Sequence, residues 1–336
     1  MSATIRDVAK HANTSISTVS RVINKSPRIS KETTKRVQKA IKDLQYFPNA
    51  RGQSLARKRT GVVAFVAKVS RNTAFVNPHL FEIMNGVQMA LSKQHLTLSY
   101  VGWAEPSLEA LKELIQSHGI DGVILHASMV RPAMAQYMVD SAFPHVIIGM
   151  PNFPSNVCWV DNNNILSGEL ACDHLLTIDR RNLAFIGGEK QDLISEIRLS
   201  GVEKSMKKAS LVLKDAWIAK VVSEPEAAAG IVLKWWREPL KPDAIICANN
   251  SLALGCIRAL NRLKVNIPQD VAVITFDDFP YAVITEPPTS SITIDVYDLG
   301  VQSARLLIEK MQKPNYHFQT YMTVPMLHKR ASTSVE

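Results

Sequence analysis

Cysteine is scarce, and the little there is lies scattered. The 336-residue chain holds four, Cys158, Cys172, Cys247 and Cys256, none in a C-x-x-C spacing. That pattern argues against a disulfide framework or a zinc knuckle and reads as small apolar core residues of a cytoplasmic protein. Long apolar runs are missing too. No stretch reaches the roughly 18–20 residues that cross a bilayer, so no membrane partner is expected. The opening MSATIRDVAKHANTS lacks an apolar segment and is read as carrying no secretory signal. Catalytic signatures are also absent. There is no P-loop, no G-x-S-x-G and no H-E-x-x-H; nine histidines show no metal spacing, and Gly187-Gly188 stands outside any dinucleotide-binding context. The expectation is therefore no enzyme, no catalytic residue, no metal and no cofactor.

What is abundant is positive charge, and it is concentrated. The chain carries a net +9, yet residues 1–60 alone hold 14 Lys and Arg against three acids, a net +11, and the other 276 residues a net −2. Such polarisation suits an amino-terminal unit that neutralises phosphates, beside a near-neutral body with another task. A disordered basic tail would need few apolar residues, whereas this stretch places them at helical period.

Three short helices are predicted there. Thr4 followed by Asp7 has capping-box spacing, and Ile5, Val8, Ala9 and Ala12 share one face of a helix over about 5–12. Asn13-Thr14 makes a turn. Ser15 caps a second helix near 16–24 whose inward face is Val19, Val22 and Ile23. Asn24-Lys25-Ser26-Pro27 stops it. Ser30 caps a third, with Val37, Ala40, Ile41 and Leu44 on its apolar face. The first two form a helix-turn-helix, whose second helix lies in the DNA major groove with its early residues at the base edges. Arg21 can grip a guanine with two hydrogen bonds, and Ser17 can donate or accept at several bases. Ile16 either touches a thymine methyl or folds inward against Val19. Ser15, Thr18, Ser20 and Asn24 suit phosphate contacts or, equally, capping and solvation.

The run TIRDVAKHANTSISTVSRVIN, residues 4–24, and its continuation YFPNARGQSLARKRTGVVAFV, residues 46–66, resemble the headpiece and linker of the LacI/GalR family of transcriptional regulators. The resemblance implies that the linker becomes a hinge helix on operator DNA. Asn49, Gln53, Ser54 and Arg57 would then contact DNA, and Leu55 would wedge into a base step from the minor groove. Gly52 stands where the family usually has alanine, which costs about 1 kcal/mol of helix propensity and makes the free linker less helical.

Beyond Gly61 the pattern changes to apolar runs at 61–69, 96–101, 121–127, 144–149, 157–160, 182–187, 217–222, 243–248 and 270–276. Helix-period stretches lie between most of them. Alternating β and α elements imply parallel sheets with helices on both faces, and nine strands suggest two sheets. The expected fold is thus a small all-α helix-turn-helix headpiece (1–46), a hinge (47–60) and an α/β body (61–336) of two doubly wound parallel-sheet subdomains. The resemblance extends across the body. It implies a periplasmic-binding-protein-like fold whose chain crosses three times, with subdomains of about 61–158 plus 288–320 and 159–287 plus 321–336.

Local motifs also resemble the family's effector site. They nominate Asp161 in Val160-Asp161-Asn162, Arg198 in Arg198-Leu199-Ser200-Gly201, Asn249 after the strand at 243–248, and Asp277 after the strand at 270–276. The stretch Asn77-Pro78-His79-Leu80 stands where the family often has two adjacent cleft aromatics, which adds His79 and Leu80 to the candidates. Simpler readings stay open: Asp161-Asn162 caps a helix, Arg198 pairs with Glu196 or Glu203, and His79 is a solvated residue at a helix start. Gly149, Pro225 and Asn250 depart from residues common in relatives, so a relative's sugar specificity does not carry across intact. No leucine heptad follows Arg330-Ala331-Ser332, which resembles the family's last motif. A homodimer is therefore expected rather than a coiled-coil tetramer. The implied function is an effector-controlled repressor of carbohydrate-related genes acting on double-stranded operator DNA. The alternatives are an architectural DNA-binding protein without an effector, and, further off, an enzyme or a sugar-binding protein.

Overall fold

The structure is a computed structural model that describes residues 3–23, 26–46, 59–69, 79–189, 192–278, 281–313 and 319–334. The chain divides into two compact units, 1–61 with 118–121 and 62–117 with 122–336.

The first unit is the three-helix headpiece. Helix α1 (Ile5–His11) opens on the capping box expected from Thr4 and Asp7: the Asp7 amide donates to Thr4 Oγ1 at 3.4 Å, and the Thr4 amide to the Asp7 carboxylate at 2.8 Å. Helix α2 (Ile16–Ile23) follows a turn in which Asn13 takes φ 44°, a conformation asparagine tolerates better than most residues. Helix α3 (Lys31–Asp43) is capped by Ser30. Val8, Ala9, Ala12, Val19, Val22, Val37, Ala40 and Tyr46 form the core. Arg36 on α3 donates through Nε to the Ala12 carbonyl at 2.9 Å, tying the third helix to the turn between the first two. The hinge segment, residues 47–58, and its expected DNA contacts Asn49, Gln53, Ser54, Leu55 and Arg57 lie outside the described residues, as does Asn24.

In the second unit two six-stranded sheets form. The first has the order β11 (Thr320–Thr323), β5 (Trp159–Asn162), β4 (His145–Ile148), β3 (Gly122–His126), β1 (Val62–Lys68) and β2 (Thr97–Trp103), all parallel. The second runs β12 (Met326–His328), β10 (Ser290–Thr293), β9 (Ala272–Phe276), β8 (Ala244–Cys247), β6 (Leu183–Gly187) and β7 (Ile218–Lys220). It is parallel except at its edge, where β12 runs antiparallel to β10. Central strands such as β3 and β8 are buried on both faces, which is why they read as unbroken apolar runs rather than alternating ones.

Helices cover the sheets: α4 (His79–Ser92), α5 (Leu108–Gln116), α6 (Pro132–Asp140), α7 (Asn164–Thr177), α8 (Leu193–Lys208), α9 (Pro225–Trp235), α10 (Asn250–Arg262) and α11 (Val296–Gln312). Helix α6 has no counterpart in the sequence reading, nor have β10, β11 and β12. Strand β10 is Ser-Ser-Ile-Thr and carries no apolar run. It is buried because its hydroxyls are satisfied internally, Ser290 Oγ by Thr333 Oγ1 at 2.6 Å and Ser291 Oγ by Asp278 at 2.5 Å. Because β5 joins the first sheet, β10 the second and β11 the first, the crossings follow Asn162, Thr293 and Thr323, each a few residues beyond the approximate bounds read from the sequence.

One close helix pair matters for the site. At the contact of α7 with α8, a Cβ on Gly168 would overlap the carbonyl of Arg198, and one on Gly201 would overlap that of Ile165. Gly168→Ala is therefore expected to cost about 1–3 kcal/mol of stability through forced separation. Gly230→Ala on α9, where a Cβ meets nothing within 4 Å, should instead gain about 0.4–1 kcal/mol. Urea midpoints of the two variants check the contrast.

Candidate DNA interface and ligand cleft

Helix α2 buries Val19 and Val22 and turns its polar face outward. The Ser15 hydroxyl accepts from the Thr18 amide at 3.1 Å and lies 2.8 Å from Ser17 Oγ and 2.9 Å from Thr18 Oγ1. Ser15 thus spends its side chain on the cap. Ile16 is 44% exposed, so it does not fold inward against Val19. Ser17 and Arg21 are exposed on the same helix, while Ser20 is half-buried.

The body holds a cavity of about 310 Å³. One wall comes from the first sheet's side: His79 at the start of α4, His126 ending β3, Gly149 after β4, and Asp161 and Asn162 on β5. The other comes from the second: Asp192 and Arg198 at α8, Asn249 after β8 and Asp277 after β9. These are the carboxyl ends of parallel strands, where open α/β sheets bind their ligands.

Of the lining residues, Asp277 contacts both His79 and Arg198. Its backbone is left-handed, φ 71°, and its amide donates to the Ile292 carbonyl at 2.9 Å. Its carboxylate lies 3.5 Å from Arg198 Nη2 through one oxygen and 3.5 Å from His79 Nε2 through the other. Arg198 is itself buried. Its Nε donates to Asn164 Oδ1 at 3.1 Å and its Nη1 to the Ala248 carbonyl at 2.7 Å, and its guanidinium stacks 4.6 Å from the centre of the Phe276 ring. Glu196, one of the two alternative partners, faces Lys220 instead.

Asp161 accepts from the Met150 amide at 2.8 Å and from its neighbour Asn162 at 2.7 Å. Burial outweighs these bonds and pushes its carboxyl above the usual range. The helix cap that the sequence left open for Asp161-Asn162 falls to Asn163, which caps α7 through the Leu166 amide. Asn249 caps α10 through the Leu252 amide at 3.0 Å and donates to Ser223 Oγ at 3.0 Å.

Five of the six residues nominated for the effector site line the cavity: His79, Asp161, Arg198, Asn249 and Asp277. Leu80 does not. It is 4% exposed and packs in the core under the first sheet, because one residue of rotation along α4 turns it away from the side His79 faces. The sequence reading missed His126, Asn162, Asn164, Asp192 and Ser223. His126 ends an apolar run as Asn249 does, a signal that was there to be used. Burial lowers the pKa of His126. Among the described residues, no three His, Cys, Asp or Glu side chains are grouped to hold a metal, and no helix is long and apolar enough to cross a membrane.

A helix-turn-helix headpiece and a two-sheet α/β body with a polar cleft define a DNA-binding regulator of the ligand-responsive class. Comparison with known proteins agrees. The model of bacterial regulatory proteins of the lacI family matches residues 4–49, and that of a periplasmic binding protein-like domain matches residues 172–333. Its amino-terminal part thus resembles the lacI family of bacterial regulatory proteins, and the carboxy-terminal half of its body resembles periplasmic binding proteins. It is 29% identical over 333 residues to the ribose operon repressor of Escherichia coli K12, covering 98% of this chain and 99% of that one. It is 28% identical over 334 residues to the transcriptional repressor PurR of Histophilus somni strain 2336, covering 98% of each. Among solved structures it resembles the transcriptional regulator CelR in complex with cellobiose, with a TM-score of 0.74 and 28% identity over 98% of this chain and 99% of that one. The curated relatives named here are repressors, not enzymes.

Proposed function

We propose that the chain is a cytoplasmic homodimeric repressor of carbohydrate-related genes. It binds double-stranded operator DNA through α2 and the hinge, and is controlled by a sugar or sugar derivative held in the cleft. The observation that carries this reading is the Asp277 carboxylate poised between Arg198 and His79, in a polar cavity at the strand ends. Two headpieces reading a near-palindromic site account for the dimer. Ligand bound between the lobes shifts their orientation and with it the hinge segments that meet DNA. His79, Asp161, Arg198, Asn249 and Asp277 are the residues assigned to the effector.

By linkage, operator and effector must change each other's affinity by the same factor. The test titrates the full chain with D-ribose and cellobiose, with and without operator. A shift in operator affinity matched by an equal shift in sugar affinity supports the reading. Operator affinity that no metabolite moves points to an architectural DNA-binding protein.

Arg21→Ala should weaken operator binding by about 1–3 kcal/mol and relax preference at one base pair in each half-site. Binding assays on a set of single-base operator variants check this, and uniform weakening would make Arg21 a phosphate contact.

A further inference from the structure

The cleft's charge and hydrogen-bond inventory is lopsided. Three carboxylates line it: Asp161, Asp192 and Asp277. Against them stand one guanidinium, Arg198, and at most one imidazolium, His79. The third basic group, His126, accepts the Ser128 amide on Nδ1 at 3.3 Å, so its proton sits on Nε2 and the ring is neutral. Counting Asp161 as ionised leaves the cavity negative. Counting it as neutral leaves the cavity uncharged. In neither state is there spare positive charge.

The guanidinium is also already paired, with three of its five N–H donors engaged. Each of its three nitrogens donates to the protein: Nε to Asn164, Nη1 to the Ala248 carbonyl and Nη2 to Asp277. An anion entering the cleft would have to compete with Asp277 for a cation it touches. An independent feature points the same way. Asn162 is 5% exposed and lines the cavity, and its Oδ1 is buried with no hydrogen-bond partner among the described residues. An orphaned buried acceptor costs about 1–3 kcal/mol, which a ligand donor would relieve. The cavity thus offers acceptors, and its one guanidinium is already paired with a carboxylate.

We infer that the cleft takes an uncharged, hydroxyl-rich ligand and excludes its phosphorylated and carboxylated counterparts, because Asp277 already occupies the one guanidinium and Asn162 waits for a donor. This inference rests on the cleft being the effector site, and it narrows the class of effector.

The test is calorimetric titration of the full chain with inorganic phosphate and with two matched pairs, D-ribose with D-ribose 5-phosphate and cellobiose with cellobionate. Phosphate and both anionic sugars should give no saturable binding. Any binding within a pair should favour the neutral member by roughly 100-fold, the scale of placing like charges together. Asp277→Asn should then gain phosphate binding, since it frees Arg198, and asparagine is at home at φ 71°. Asp161→Asn, which removes a carboxylate without touching Arg198, serves as a second variant and should shift the balance the same way. Phosphate or an anionic sugar binding the unaltered cleft would overturn the inference and leave the regulator reading standing. So would a folded Asp277→Asn protein that gains no phosphate affinity. A neutral sugar that binds without moving operator affinity would sink the regulator reading and leave the inference intact.

Discussion

Replacing Arg198 with methionine is expected to lower the unfolding free energy of the body by about 3–5 kcal/mol, the usual cost of stranding one partner of a buried ion pair. Arg198 is 4% exposed and Asp277 is 7% exposed. The charged head sits in a sleeve made by Asn164, the Ala248 carbonyl and the Phe276 ring. Methionine fills much of the volume but supplies no donor. It leaves the Asn164 carbonyl oxygen, the Ala248 carbonyl and one Asp277 oxygen short of a partner. His79 remains near the other oxygen and offsets part of the loss. The double variant Arg198→Met with Asp277→Asn should lose less than Arg198→Met alone, because the stranded charge is gone. Urea unfolding of the three proteins measures this. Equal losses in the single and double variants would show that the guanidinium acts through packing rather than charge. The same residue joins α8 to the loop after β9, so binding of the proposed effector should fall with it.

The second large effect is a pH dependence written into His145. It lies on β4, 3% exposed. Its Nδ1–H donates to the Phe143 carbonyl at 2.7 Å, which leaves Nε2 as a bare acceptor, buried with no hydrogen-bond partner among the described residues. Burial, reinforced by the positive charge of Lys310, depresses its pKa from 6.5 to about 4. A proton on Nε2 would be a buried donor with nothing to receive it. The unfolded chain takes up that proton near pH 6.5 and the folded one does not until about pH 4. Stability from this group is therefore complete above pH 6.5 and declines as the pH falls from 6.5 toward 4. The span corresponds to about 3 kcal/mol. Asparagine at position 145 keeps a donor for Phe143 and does not titrate. Urea midpoints at pH 7 and pH 5 should converge in His145→Asn relative to the unaltered protein. An unchanged gap would place the acid sensitivity elsewhere.

These two groups mark the limits of reading from sequence. Arg198 and Asp277 were nominated for one site by family resemblance, 79 positions apart, yet nothing in their spacing said that they touch or that His79 completes the arrangement. In the sequence His145 is merely one position of the apolar run at 144–149. Its value as a titrating group arises from what the fold packs round it. The Ser-rich strand β10 was invisible for a similar reason: its burial depends on hydroxyl partners some 40 residues downstream, at Arg330 and Thr333.

Local signals did determine a good deal. Charge placed a reader of phosphates in the first sixty residues, capping serines and threonines bounded the headpiece helices, and unbroken apolar runs marked the doubly covered strands of an α/β body. Each of those depends on a residue and its near neighbours along the chain. The tertiary structure alone decided that β12 turns antiparallel, that Leu80 faces the core while His79 faces the cleft, and which strand-end polar groups converge on one cavity. Periodicity encodes which face of an element is buried. It carries no record of what that face meets, and a cleft is built from exactly those meetings.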